Sequence, residues 1–192
     1  MIRYIIYIIP LLLIFSFNPI NNKFENYVET EIPYLKELYI DIHKNPEISL
    51  MEKETSIKLA NELRKVGFDV EENFGGYGIV GILKNGEGPT ILYRTDMDAL
   101  PMEEKTGLPY ASKVKTKTFD GNEVGTMHSC GHDMHMTVWT GTARAMVERK
   151  NEWSGTMMMI GQPAEEIGAG AAMMLKAGLY EEFPIPDYGI AL

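Results

Sequence analysis

A single cysteine, Cys130, occurs in the 192 residues, so no disulfide can close within the chain. A small fold stapled by disulfides is thereby excluded. Acids outnumber bases, 27 to 18, for a formal net charge of -9. Without an excess of cations there is no basic face to gather phosphates, and nucleic acid is not an expected partner. Histidine is scarce, four in all, yet His128, His132 and His135 crowd into one segment. No internal repeat or low-complexity tract appears beyond the first residues. What remains, 45% hydrophobic and 23% charged residues, suits one globular domain or the front part of a larger one.

The one long apolar run spans residues 4–17, behind the positive start Met1-Ile2-Arg3. As a helix of about 14 residues it would cover roughly 21 Å, short of the ~30 Å hydrocarbon core, so a full membrane span is not expected. Its length fits the core of an export signal. Ser16-Phe17-Asn18-Pro19 is not a small-x-small cleavage sequence, Pro10 interrupts the run, and no cysteine follows closely enough for a lipoprotein anchor. A cleaved signal is the first reading; an uncleaved anchor and a buried strand or helix are the alternatives. Residues 1–22 are thus expected to be signal or anchor plus linker, and residues 23–192 the folded part. The protein is expected to be exported, periplasmic or secreted, touching membrane through the leader alone. A lone thiol in that setting needs protection from oxidation, which metal ligation provides.

Val28, Ile32, Leu35, Leu38, Tyr39 and Ile42 recur at helical spacing over residues 24–44. Asn45-Pro46 ends that helix, because the residue before a proline disfavours helical angles. A second helix is expected from about residue 52 to 66, with Ile57, Leu59, Ala60 and Leu63 apolar and Gly67 at its end. Strands are expected at 68–70, 78–83 and 90–95. The turn Lys84-Asn85-Gly86-Glu87-Gly88 between the last two predicts that they pair antiparallel. Lys113, Lys115 and Lys117 alternate with Val114, Thr116 and Thr118 before Asp120-Gly121-Asn122. That is a hairpin whose lysines read as a wet face, not an anion site.

A helix from residue 133 to about 149 is expected to bury Met136, Trp139, Ala143, Met146 and Val147. Residues 155–161 read as a buried strand whose Met157, Met158 and Met159 are core, since thioethers are gap-fillers before they are ligands. A short helix at about 168–176 and a strand from residue 188 complete the chain. Helices alternating with strands describe a layered α/β domain.

His128-Ser129-Cys130-Gly131-His132-Asp133 and Gln162-Pro163-Ala164-Glu165-Glu166 carry the chemistry. Thiol, imidazole and carboxylate donors together suit zinc or another borderline divalent ion, not calcium or magnesium. Cys130 and His132, two apart, share a side if the loop is extended. Glu165 and Glu166 are adjacent and diverge, which suits one carboxylate on a metal and the other free beside a bound water. A metal brings the pKa of its water from ~16 towards ~7, and a free carboxylate then takes the proton. Amide or ester hydrolysis is the reaction class that follows. Each residue alone has an ordinary reading: a core thiol, acids at a helix start and, for His43, a helix C-cap. His128 and His135 stay open between ligand, substrate contact and structural donor. Both segments are expected at strand-to-helix junctions, where α/β sheets keep their sites.

Four segments follow one another in order: Asp41-Ile42-His43-Lys44-Asn45-Pro46-Glu47-Ile48-Ser49, Arg94-Thr95-Asp96-Met97-Asp98-Ala99-Leu100-Pro101, Met127-His128-Ser129-Cys130-Gly131-His132-Asp133, and Gln162-Pro163-Ala164-Glu165-Glu166. Together they resemble the metal-dependent amidohydrolases that include hippurate hydrolase, N-acyl-amino-acid deacylases and plant auxin-conjugate hydrolases. The resemblance runs over roughly residues 24–192. It implies a layered αβα catalytic domain of zinc-exopeptidase type with two divalent ions, commonly zinc, manganese, nickel or cobalt. It implies Cys130, His132 and Glu166 as metal ligands and Glu165 as general base. Asp96 matches an acid that supports the site from a strand end, outside the ligand set. Ser129 stands where the family more often has alanine.

Family members are much longer. The resemblance therefore implies a further histidine ligand beyond residue 192, a lid domain that mediates homodimerisation, and a last histidine near the carboxyl end. The chain is expected to be the front piece of such an enzyme, and to bind metal weakly and hydrolyse little by itself. The implied substrate is an N-acyl amino acid, a small conjugate or a peptide. A metallo-carboxypeptidase or dipeptidase with the same site is the nearest rival; a non-catalytic truncated homologue is the rival from another class.

Overall fold

The computed structural model describes residues 22–192, and the leader expected before them lies outside the described residues. Among the described residues no helix is long and apolar enough to cross a membrane. The first helix, α1 (Asn22–Lys44), follows its apolar spacing, with Glu25 in the first turn and Lys44 in the last, each placed to suit the helix dipole. Pro33 lies inside it and withholds one N–H from the ladder. The second helix, α2 (Lys53–Lys65), buries Leu59, Ala60 and Leu63; Ile57 is exposed. Its first N–H groups are capped from outside by the Glu47 carboxylate, 3.2 Å from the Glu54 nitrogen and 2.7 Å from that of Thr55.

The remaining elements are β1 (Asp69–Glu71), β2 (Ile79–Asn85), β3 (Thr90–Asp96), the hairpin β4 (Lys115–Lys117) and β5 (Glu123–Gly125), α3 (His132–Glu148), β6 (Gly155–Gln162), α4 (Gly170–Lys176), α5 (Leu179–Glu182) and β7 (Tyr188–Ala191). The hairpin forms as its alternation predicts, with Lys115 and Lys117 exposed. The main sheet has the order β1-β2-β6-β3-β7. The predicted pairing of β2 with β3 is therefore wrong: β6 lies between them, antiparallel to β2 and parallel to β3. Burial supplies the reason. All of β6 except Thr156 is buried, so this strand requires a neighbour at each edge and cover on each face.

The pleat sends the β6 methionines both ways. Met157 and Met159 pack with Leu38, Leu59, Leu63, Met136 and Trp139 under α1, α2 and α3. Met158 and Ile160 pack on the opposite face with Phe74, Met174 and Leu179 under α4 and α5. Each large side chain fully buried in this way contributes about 1.5–3 kcal/mol. The Trp139 indole N–H donates to the Tyr93 carbonyl at 3.0 Å and fastens α3 to β3. Arg144 of α3 pairs with Glu31 and lies 4.5 Å from the centre of the Tyr34 ring, fastening α3 to α1. The result is the expected three-layered αβα domain. Because β3, β6 and β7 run parallel, their carboxyl ends share one edge of the sheet, where such sheets hold ligands.

Candidate metal centre

At that edge Asp96, the last residue of β3, is paired with Gln162, the last of β6. The segments that follow, one carrying Asp98 and the other Glu165 and Glu166, stay joined, the Met97 N–H donating to the Gln162 carbonyl at 3.1 Å. The helix α3 starts beside them with His132 as its first residue. Gly131, immediately before, has φ +86, a conformation that a glycine adopts without steric cost. The loop is thus turned sharply between Cys130 and His132, and is not extended as their spacing suggested.

His132 is buried. Its Nδ1 lies 2.7 Å from the main-chain oxygen of Asp98. A carbonyl can only accept, so Nδ1 carries the hydrogen and Nε2 is left as a donor of its lone pair. Around Nε2 stand three carboxylates: Glu165 Oε2 at 3.7 Å, Asp96 Oδ2 at 3.8 Å and Glu166 Oε1 at 4.0 Å. These distances are too long for hydrogen bonds. Two overlapping groups result, His132 with Glu165 and Glu166, and His132 with Asp96 and His135, in each of which the ligand atoms lie within 4.8 Å of one another.

The acids are poorly compensated. Burial pushes the Asp96 carboxyl up to about 6, the charges of Glu165 and Asp98 push the same way, and Arg94 and His132 pull against them. The Cys130 thiol is exposed and stands beside Glu166; a hydrogen bond to that carboxylate, partial burial and the charges of Glu166, Glu165 and Asp98 push it up to about 11. Imidazole nitrogen, carboxylate oxygen and an adjoining thiol, crowded with negative charge, fit a borderline divalent cation.

Of the residues singled out in sequence, His132, Glu165 and Glu166 converge. Cys130 joins neither close group; its neighbour is Glu166. Asp96 was expected behind the ligands, and stands instead on the same side as His132 Nε2. The acid that does support from behind is Asp98, fully buried. One of its carboxylate oxygens accepts the Glu165 N–H at 3.1 Å, and the other accepts the Glu166 N–H at 3.0 Å and the Ser49 hydroxyl at 2.6 Å. Its signal was present in Asp96-Met97-Asp98, two acids close together at a strand end.

His43 is no helix cap. Its ring is buried between two acids, Nδ1 2.6 Å from Asp133 and Nε2 3.2 Å from Glu104, and it packs against the rings of Tyr39 and Tyr110. Burial opposes its protonation, but the two carboxylates outweigh burial and raise its pKa above the ordinary 6.5. His128 is also buried, with neither ring nitrogen partnered among the described residues, and burial pulls it down to about 4, so it is neutral at pH 7. His135 lies with its ring centre 5.6 Å from that of His132.

The model of Peptidase family M20/M25/M40 matches residues 92–191, which take in most of β3, both acid segments and α3. The chain belongs to this family. It is 42% identical over 141 residues to N-acetylcysteine deacetylase of Bacillus subtilis, covering 72% of this chain and 35% of that protein. It is 40% identical over 161 residues to thermostable carboxypeptidase 2 of Saccharolobus solfataricus, covering 82% of this chain and 39% of the relative. Among solved structures, a dinuclear metal binding M20 peptidase of Bacillus subtilis superposes with a TM-score of 0.70 at 37% identity, over 80% of this chain and 41% of that one. The chain thus spans between 30% and 39% of the length of the curated M20 relatives it matches.

Proposed function

We propose that the intact protein is a metal-dependent amidohydrolase that removes the acyl group from an N-acyl amino acid or a similar small conjugate. The carrying observation is the convergence of Glu165 and Glu166 on His132 Nε2, at 3.7 and 4.0 Å, with the ring's other nitrogen tied to the main chain of Asp98. In this reading His132, Glu166 and Cys130 hold the ion, with Asp96 beside them. The dinuclear character of the structural relative supports two ions in the complete site, drawn from zinc, manganese, nickel or cobalt. A divalent ion supplies two things when bound: an acidified water and polarisation of the scissile carbonyl.

The chain's own residues supply the rest. Glu165 is the more exposed of the two acids, 41% against 14% for the side chains, and serves as general base, taking the proton from the attacking water and passing it to the departing amine. Glu166, turned inward, is the ligand. Asp98 keeps both acids in place through their N–H groups. Homodimerisation and export belong to this reading too, by resemblance to the longer members and from residues 4–17.

The test is Glu165→Gln in the intact protein, assayed on N-acetyl amino acids. Turnover should be abolished while the bound metal, measured by mass spectrometry of the ion, is retained; undiminished hydrolysis rejects the assignment. A carboxypeptidase or dipeptidase is the second reading, favoured by the 40% identity to a protein named a carboxypeptidase. A panel of N-acetyl amino acids against dipeptides and blocked peptides separates the two by relative kcat/KM.

A further inference from the structure

Two turns lie side by side, one before α2 and one after β6. In the first, Leu50 has φ 66; in the second, Ala164 has φ 51. Both are left-handed, a conformation that side chains with a Cβ seldom adopt unless something holds them there. The same atom holds both. Glu52 Oε1 accepts the Leu50 N–H at 2.9 Å and the Ala164 N–H at 2.8 Å. Glu52 is fully buried, and its Oε2 has no partner among the described residues.

Its position directly before α2 would make Glu52 an ordinary capping acid. It is not one: no side-chain capping bond forms from it, and Glu47 does that work from outside. The side chain is turned away from its own helix, towards the segment that carries Glu165. Beside it, Ser49 is hydrogen-bonded to Asp98, which accepts the N–H groups of Glu165 and Glu166. Two buried acids thus clamp the acidic turn, Asp98 from the β3 side and Glu52 from α2.

We propose that Glu52 is a positioning residue for the M20 site, locking Ala164 in its left-handed state so that Glu165 projects at the ion and its water. This rests on the reading of Glu165 as general base. What Glu52 supplies is an acceptor: its Oε1 takes the N–H groups of both left-handed residues. A glutamine keeps the acceptor; a leucine removes it and leaves two N–H groups buried and unpaired.

The experiment compares Glu52→Gln, Glu52→Leu and Glu52→Leu with Ala164→Gly in the intact, metal-loaded protein. Glu52→Leu should lower kcat roughly 10- to 100-fold, the range seen when catalytic groups are misplaced by a fraction of an ångström to an ångström, with KM and metal content unchanged. Glu52→Gln should stay close to wild type. Glycine at position 164 needs no holding, so the double variant should recover part of the lost kcat. An unaltered kcat in Glu52→Leu overturns the proposal, as does a Glu52→Gln loss as large as that of Glu52→Leu.

Amide hydrogen exchange, which needs no turnover, keeps the matter decidable if the leucine variant fails to fold. The Ala164 N–H should be strongly protected in wild type and in Glu52→Gln. An inactive wild type with a protected Ala164 amide rejects the amidohydrolase reading alone. An active wild type whose Ala164 amide exchanges freely rejects this one.

Discussion

Asp98 holds the main chain of Glu165, a carboxylate oxygen lying 3.1 Å from the Glu165 amide nitrogen. The bond joins the ends of β3 and β6, so an acid on one strand sets the direction of an acid on the next. Three donors converge on this carboxylate.

An asparagine at position 98 offers one oxygen in place of two and turns an N–H towards a donor. Asp98→Asn should destabilise the fold by about 1–3 kcal/mol, the cost of stranding a buried polar group. It should also weaken metal affinity about 10- to 100-fold, as loss of a supporting acid does. Thermal denaturation and competition with a chromophoric chelator read the two effects. An unchanged chelator titration would show that the Glu165–Glu166 turn does not depend on Asp98.

The buried network of His43, Asp133 and Glu104 predicts a pH dependence. His43 has its pKa raised by the two carboxylates against its own burial, so its contribution is complete below 6.5 and is lost as pH climbs through the raised value. Glu104 is lowered: burial works against this, and hydrogen bonds from Thr106, Ser112 and His43 prevail. Its contribution is present above 4.5 and is lost as pH falls through the lowered value. Between those limits His43→Leu should cost about 3–5 kcal/mol, because it leaves charge buried and unpaired. Urea unfolding from pH 6 to pH 10 should show the gap between wild type and variant narrowing with rising pH. A gap that widens contradicts the assignment of charge to His43.

Gly170 opens α4 directly beneath the acidic turn, and a Cβ built there would fall 1.6 Å from the Pro163 carbonyl oxygen. Gly170→Ala must push Pro163 or the helix away. Overpacking of this kind costs about 1–3 kcal/mol, or several degrees in Tm for a domain of this size. Gly189 in β7 has nothing within 4 Å of such an atom, and Gly189→Ala is the matched control that should leave Tm nearly unaltered. Equal Tm values for the two variants would remove the packing argument.

Metal should stabilise the folded chain, because the donors converge only when it is folded. With free ion at 100 times the Kd, the gain is about 2.7 kcal/mol. That corresponds to a rise in Tm of roughly 5–11 °C. A chelator should abolish the rise, and His132→Ala should eliminate it without a chelator. A Tm indifferent to zinc, manganese, nickel and cobalt argues against an ion at this edge.

The elements were legible where their periodicity is local. α1, α2, α3 and the lysine hairpin follow from spacing and turn residues, because a helix face or a strand face is written within a few neighbouring positions. The pairing of β2 with β3 was misread for the converse reason. The Lys84–Gly88 turn reports a reversal, but not that the methionine strand β6 would later enter the space between them. His43 was misread in the same way: its place at the end of α1 suggests a cap, while its partners lie 61 and 90 positions away.

The chemical kinds of atom at the site, imidazole nitrogen, two neighbouring carboxylates and a thiol, are properties of single residues, and the order of residues alone determined them. Which of those atoms meet was decided by the tertiary structure. The parallel ends of β3 and β6 set Asp98 under Glu165 and Glu166, the left-handed Gly131 turned the loop between Cys130 and His132, and a buried Glu52 turned from its own helix towards Ala164. Such meetings depend on long-range closure of the chain, and no spacing within one segment records it.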